Sequence, residues 1–140
     1  MRKGLYIASL LLGYGLHAQL PETEIYLAKI EIKNNLIKLG EIQNITNRKG
    51  YDNQPFFTPD GKTILFSASA DSGSQIHIKK YNIKSKEVKP HTRTRTSEYS
   101  PMLAPNGQYI SSVVVEEDSA QRIWMYDQKK AEVKHCLTEN

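Results

Sequence analysis

Two acids hold matching places in the chain. Asp52 and Glu98 are 46 residues apart, and each stands three residues before a proline, Pro55 or Pro101. Carboxylates set at one depth by neighbouring units could form part of a ring that holds a cation or a basic peptide segment, although a divalent metal wants more oxygen ligands than two such groups. The plainer fate of such an acid is to cap its local turn or pair with a lysine. Arg93 and Arg95 alternate with Thr92, Thr94 and Thr96, so an extended segment places both guanidinium groups on one side as a surface for an anionic contact. A solvated connector is the simpler reading of the same residues. Tyr51, Tyr99 and Trp124 offer aromatic platforms for a peptide or sugar, or else pack unit against unit. Packing is the preferred reading for Trp124, which lies between Ile123 and Met125.

Patterns that would carry catalysis are missing. The sequence holds no Gly-x-Ser-x-Gly elbow, no His-Glu-x-x-His, no Cys-x-x-Cys and no phosphate-cradling glycine loop. His77, His91 and His135 are isolated from one another, and the last two occupy equivalent regions of successive repeats. The expectation is therefore a non-enzyme with no catalytic residue, cofactor or metal. Cys136 is the only cysteine, so an internal disulfide is impossible; beside Leu137 on an expected strand it reads as a small buried hydrophobe.

The elements that would position these residues come from an internal repeat. Gln54-Pro55-Phe56-Phe57-Thr58-Pro59-Asp60-Gly61-Lys62-Thr63-Ile64 returns as Ser100-Pro101-Met102-Leu103-Ala104-Pro105-Asn106-Gly107-Gln108-Tyr109-Ile110, without a gap. A period of this size marks a supersecondary unit that needs stacked neighbours to bury its faces. Each copy predicts a short strand (Phe56 to Thr58; Met102 to Ala104), a turn (Pro59-Asp60-Gly61; Pro105-Asn106-Gly107) and a strong strand (Thr63 to Ser69; Tyr109 to Val115). A third strand follows (Gln75 to Asn82; Arg122 to Asp127), then an outer one from Glu87 or Ala131, with Pro90 tolerated at the edge. Both strong strands are nearly continuously apolar, which predicts burial on both faces. Upstream, Glu24 to Ile32 and Leu36 to Ile45 flank the turn Asn34-Asn35 as a hairpin. Glu41-Ile42 and Thr46 align with Glu87-Val88 and Thr92, so this hairpin is the outer half of an earlier unit. The fold class is all-β: a partial β-propeller of four-stranded antiparallel blades, about two and a half of them.

At Thr58-Pro59-Asp60-Gly61-Lys62 the chain resembles the TolB-type, WD40-like β-propeller repeat family. The copy Ala104-Pro105-Asn106-Gly107-Gln108 keeps the turn chemistry but lacks the hydroxyl and the acid. The resemblance covers about residues 23–140. The resemblance implies exported envelope proteins, including one that contacts a peptidoglycan-associated lipoprotein, and also propellers attached to prolyl-oligopeptidase-like peptidases. Closed propellers of this kind have six or seven blades. At roughly 46 residues per blade this chain supplies about half of a ring, which makes it a fragment, a truncated product or a unit that associates through open blade faces.

The first eighteen residues belong to another category. Arg2 and Lys3 precede the apolar run Leu5 to Leu16, and Ala18 closes it, the pattern of a secretory signal peptide too short to span a bilayer. The expected organisation is a leader at 1–18 and repeats at 19–140, divided as 19–47, 48–93 and 94–140. Without Arg2 and Lys3 the chain keeps 17 Lys and Arg against 15 Asp and Glu, about +2, so nucleic-acid binding is not expected. The sequence thus reads as an exported, periplasmic or extracellular interaction scaffold with a protein or peptide partner in the envelope. Part of a peptidase propeller and a carbohydrate-binding propeller are the alternatives.

Overall fold

The computed structural model describes residues 20–70, 75–130 and 134–138; the expected leader and most of the loop expected at 70–74 lie outside them. The described residues form ten strands in three antiparallel sheets, with no helix. The first sheet is the hairpin of β1 (Tyr26–Lys33) and β2 (Leu36–Asn44). Its loop residues Asn34 and Asn35 have φ of 52° and 60°, the pair of positive angles that a two-residue hairpin needs and asparagine tolerates. The second sheet holds β3 (Asp52–Phe57), β4 (Thr63–Ser69), β5 (Ile76–Asn82) and β6 (Val88–Pro90) in chain order. The third repeats that order with β7 (Ser97–Leu103), β8 (Tyr109–Val115), β9 (Gln121–Asp127) and β10 (Lys134–Cys136). These are one half-blade and two four-stranded blades.

The innermost strands are longer than the sequence suggests. β3 and β7 begin before the repeat prolines and pass through them, at a bulge where the register slips between Asn53 and Phe56 and again between Tyr99 and Met102. At both bulges the residue before proline, Gln54 or Ser100, takes a left-handed φ of 53° or 52°. A bulge leaves one residue out of the ladder, so a proline without an N–H does no harm there. Gln54 also joins the blades: its Oε1 accepts from the Ser100 N–H at 2.9 Å and from the Ser67 hydroxyl at 2.8 Å.

Packing runs sideways, blade on blade. Ile25 and Ile45 from the half-blade meet Ile64, Phe66, Ala68 and Tyr81 of the second blade in one buried cluster. The alternate residues Leu65, Ser67, Ile76 and Ile78 are equally buried on the opposite face. There the third blade sits, bonded through Ile76 N–H to Ser97 Oγ and Lys80 Nζ to the Gln128 carbonyl. β4 is therefore buried on both faces, as expected. β8 is not: Ile110, Ser112 and Val114 are buried while Tyr109, Ser111, Val113 and Val115 remain partly open. The expectation for β8 fails because no described residue packs on its second face. Cys136 is likewise half-buried at the end of β10, not in a core.

Candidate functional site

Where each outer strand hands over to the next blade, a threonine recurs with the period of the repeat: Thr46, Thr92 and Thr138. Each Oγ1 accepts the backbone N–H of an isoleucine at the third-strand position, Ile25 at 3.1 Å, Ile78 at 2.9 Å and Ile123 at 2.9 Å. The threonine thus seals a donor at the blade's edge and fixes where the connector departs. Thr138 escaped the sequence reading, although the 46-residue spacing pointed to it.

The two repeat acids lie just inside these connectors. Asp52 opens β3, Glu98 is the second residue of β7, and both side chains are fully buried. Arg48 grips Asp52 Oδ1 through Nη2 at 2.7 Å and Nε at 3.1 Å, and reaches the Ser69 carbonyl at 3.0 Å. Asp52 Oδ2 accepts no hydrogen bond from the described residues. Burial pushes the Asp52 carboxyl above its ordinary pKa, an effect that Arg48, and more weakly Lys79, oppose. Glu98 instead accepts from the hydroxyls of Thr92, at 3.0 Å, and Thr94, and faces His77 Nδ1 at 3.1 Å. Both acids are buried and bonded locally, Asp52 to Arg48 and Glu98 to Thr92, Thr94 and His77. That is closer to the plainer reading of local capping or pairing than to an open ring for a cation or a basic peptide, although the partners are not lysines. Sequence reading did not connect Arg48, His77 or Thr94 with these acids, although Arg48 and Thr94 each lie four residues before one.

His91 ends the outer strand region of the second blade, its Nε2 buried without a partner among the described residues. Burial, helped by the charge of Lys80, lowers its pKa to about 4. Lys80 is itself held below its ordinary value by burial. Among the described residues no cluster of three or more His, Cys, Asp or Glu stands ready for a metal ion.

Arg93 and Arg95, by contrast, are exposed on the connector, and neither makes an ion pair with a described residue. Tyr99 follows at the same end of the blades and meets Tyr51 edge to face, with ring centroids 6.5 Å apart and planes at 72°. Trp124 is half-buried within its own blade, where its indole N–H donates to Glu116 Oε1 at 2.7 Å and Lys134 Nζ lies 4.6 Å above its ring.

The opposite end carries the turns. Thr58 Oγ1 donates to Asp60 Oδ1 at 2.6 Å and accepts the Thr63 N–H at 3.1 Å, while Asp60 also takes the Lys62 N–H. The Thr58 hydroxyl is the main reason the Asp60 pKa falls. In the second copy Asn106 Oδ1 accepts the Gln108 N–H at 3.0 Å, and Ala104 contributes no hydroxyl. Gly61 and Gly107 have φ of 64° and 69°, which is what Pro59-Asp60-Gly61 and Pro105-Asn106-Gly107 need to close. Between the two turns lies an open cavity of about 340 Å³, lined by Thr58, Asp60, Leu103, Ala104, Pro105 and Gln128 among others.

No family model matches the chain, and no curated protein does. Solved structures do. A structure assigned as TolB from Agrobacterium tumefaciens superposes with a TM-score of 0.62 at 17% identity, over 87% of this chain and 50% of that one. TolB from Acinetobacter baumannii gives 0.61 at 21% identity, over 82% of this chain and 30% of that one. The fold is a TolB-type β-propeller. At these identities the likeness concerns the fold alone, and the chain spans half or less of the length of the TolB structures it matches. The TolB-type framework accounts for the positions described here: connectors, acids and the tyrosine pair gather at one end, and the Pro-Asp-Gly and Pro-Asn-Gly turns at the other.

Proposed function

We propose that the chain is an exported, non-enzymatic propeller module that binds a protein partner in the bacterial envelope. The observation that carries this reading is the charge arrangement at the connector end. Asp52 and Glu98 are buried and bonded to groups of the chain itself, while Arg93 and Arg95 are exposed on the connector that leads into β7 and Tyr99. Two exposed guanidinium groups at alternate positions suit an acidic, extended peptide segment, which they grip through bidentate hydrogen bonds. The basic and apolar opening of the sequence, residues 1–18, supports export, and the TolB-type fold supports an envelope partner of the peptidoglycan-associated kind.

The test is titration of the purified chain with a peptide rich in Asp and Glu, followed by calorimetry at two salt concentrations. Salt-sensitive binding that is lost in the double variant Arg93→Glu, Arg95→Glu is the expected result. Equal binding by the double variant would remove the connector from the site. Peptide hydrolysis by the pure chain, abolished by one point substitution, would overturn the non-enzymatic reading altogether.

A further inference from the structure

The second blade has two joints, and they are built differently. On the half-blade side, Ile25 and Ile45 close onto Ile64, Phe66, Ala68 and Tyr81 as an apolar cluster. On the other side polar bonds cross to the third blade: Ile76 N–H to Ser97 Oγ at 3.1 Å, Ser100 N–H to Gln54 Oε1 at 2.9 Å, and Lys80 Nζ to the Gln128 carbonyl at 2.9 Å. His77 Nδ1 also meets Glu98 Oε2 there, at 3.1 Å. Ser112 and Tyr126 are buried on the side of the third blade that this joint covers. Yet Ser112 Oγ and Tyr126 Oη have no hydrogen-bond partner among the described residues, and neither has His91 Nε2. Polar atoms shut away without partners cost free energy that solvent restores when a joint opens.

His91 is the group through which solvent conditions reach this joint. It follows β6, donates its backbone N–H to the Ile78 carbonyl at 2.7 Å, and keeps Nε2 out of contact with water. The charged groups that act on its ring are Lys80 from β5 and Asp127 at the end of β9. Lys89, within β6 itself, is turned to solvent with Glu87. A proton on the ring therefore sets a second cation beside the Lys80 ammonium where little water can screen them. Asp127 offsets this only in part, since its Oδ1 already accepts the N–H groups of Lys129 and Lys130, each at 2.8 Å.

We propose that the joint between the second and third blades is an acid-opened hinge: a proton on His91 releases the third blade from the second, while the joint to the half-blade stays closed. The window is set by the ring, whose pKa is about 4 with the joint closed against an ordinary 6.5, so opening takes up a proton between those values. At the first joint the same acid works differently. Burial raises the Asp52 pKa, so a proton there favours the closed state, and Glu24, held below its ordinary range chiefly by the Thr46 hydroxyl, keeps its charge through the window. A proton on His77 pairs with Glu98 and holds the second joint, which leaves the opening to His91. The hinge does not draw on Arg93 or Arg95, so its failure leaves the partner-binding reading standing.

The experiment is amide hydrogen exchange on the full chain, followed residue by residue by NMR at pH 7 and pH 4.5 and corrected for the intrinsic pH dependence of exchange. The Ile76 and Ser100 amides report on the second joint, and the Thr23 and Asp52 amides, bonded to the Gly50 and Thr23 carbonyls, report on the first. Protection of Ile76 and Ser100 should fall about tenfold or more at the lower pH, the full effect of the His91 shift being discounted for the part of the ring that solvent reaches. Thr23 and Asp52 should keep theirs. His91→Leu should abolish the fall, and His91→Gln, which keeps a polar side chain without the proton, should do the same; circular dichroism at pH 7 checks that each variant is folded. Unchanged protection at all four amides, equal losses at both joints, or a fall that survives in a folded His91 variant would overturn the hinge.

Discussion

β4 and β8 stand at the same place in successive repeats, form the same ladders and follow the same glycine turn, yet they are buried differently. In β4 five consecutive residues, Ile64 to Ala68, are inaccessible; in β8 burial alternates. Their sequences do not explain this, since Tyr109 to Val115 is as apolar as Thr63 to Ser69. The difference lies in the neighbours, for among the described residues the second blade is flanked on both sides and the third on one. In a stacked-blade protein, burial belongs to the interface between repeats and only secondarily to the strand.

The sharpest way to break this contrast is to truncate one apolar side chain on each of the two strands. Phe66→Ala should cost about 3–5 kcal/mol in urea unfolding, because Phe66 is wholly enclosed between half-blade and blade. Val113→Ala should cost about 1 kcal/mol or less, because its face is partly open.

Acid should also strike the flanked blade. His91 has a pKa of about 4 in the folded chain and an ordinary one when unfolded. As pH falls below about 6.5 the unfolded chain takes up a proton that the native ring refuses, so stability drops until the pH nears 4. The loss should be on the order of 2 kcal/mol once the partial exposure of the ring is allowed for. Asp52 works the other way: its raised pKa favours the protonated native state, so its contribution grows as pH falls and is lost as pH rises. His91→Leu should flatten the decline, and thermal melts at pH 4.5 and 7 would show whether it does.

A smaller effect separates the recurring threonines. Thr92→Val should cost about 1–2 kcal/mol, since it strips both the Ile78 N–H and Glu98 of a buried partner. Thr138→Val, at an exposed position, should stay within about 0.5 kcal/mol. Equal costs would mean that the handover is sealed alike whether or not a blade follows. Smallest of all should be the difference between Gly61→Ala and Gly107→Ala, each about 1 kcal/mol from its left-handed backbone, with open space around the added methyl. Matching losses in chemical denaturation would show that the turns, unlike the strands, take no notice of neighbours.

That division also explains what could be read in advance. The Pro-Asp-Gly and Pro-Asn-Gly turns, the hairpin at Asn34-Asn35 and the strand order are local matters, decided by backbone angles and side-chain alternation within a few residues. The bulges at Gln54 and Ser100 were hidden because proline ordinarily argues against a strand, and only the paired β4 and β8 show that the ladder resumes beyond it. Spacing singled out the acids but not their partners: His77 lies 21 residues from Glu98, and nothing local links them.

By itself the sequence determined the repeat, its period of 46 residues, the all-β class and the chemistry of each turn, because these follow from residue type and short-range geometry. The tertiary structure alone decided which face of each blade is covered, that Asp52 and Glu98 are anchors turned inward, and that Arg93 and Arg95 are left facing out. Those outcomes depend on which blade stands beside which. Desolvation and hydrogen-bond pairing are settled only when two surfaces distant along the chain are brought into contact.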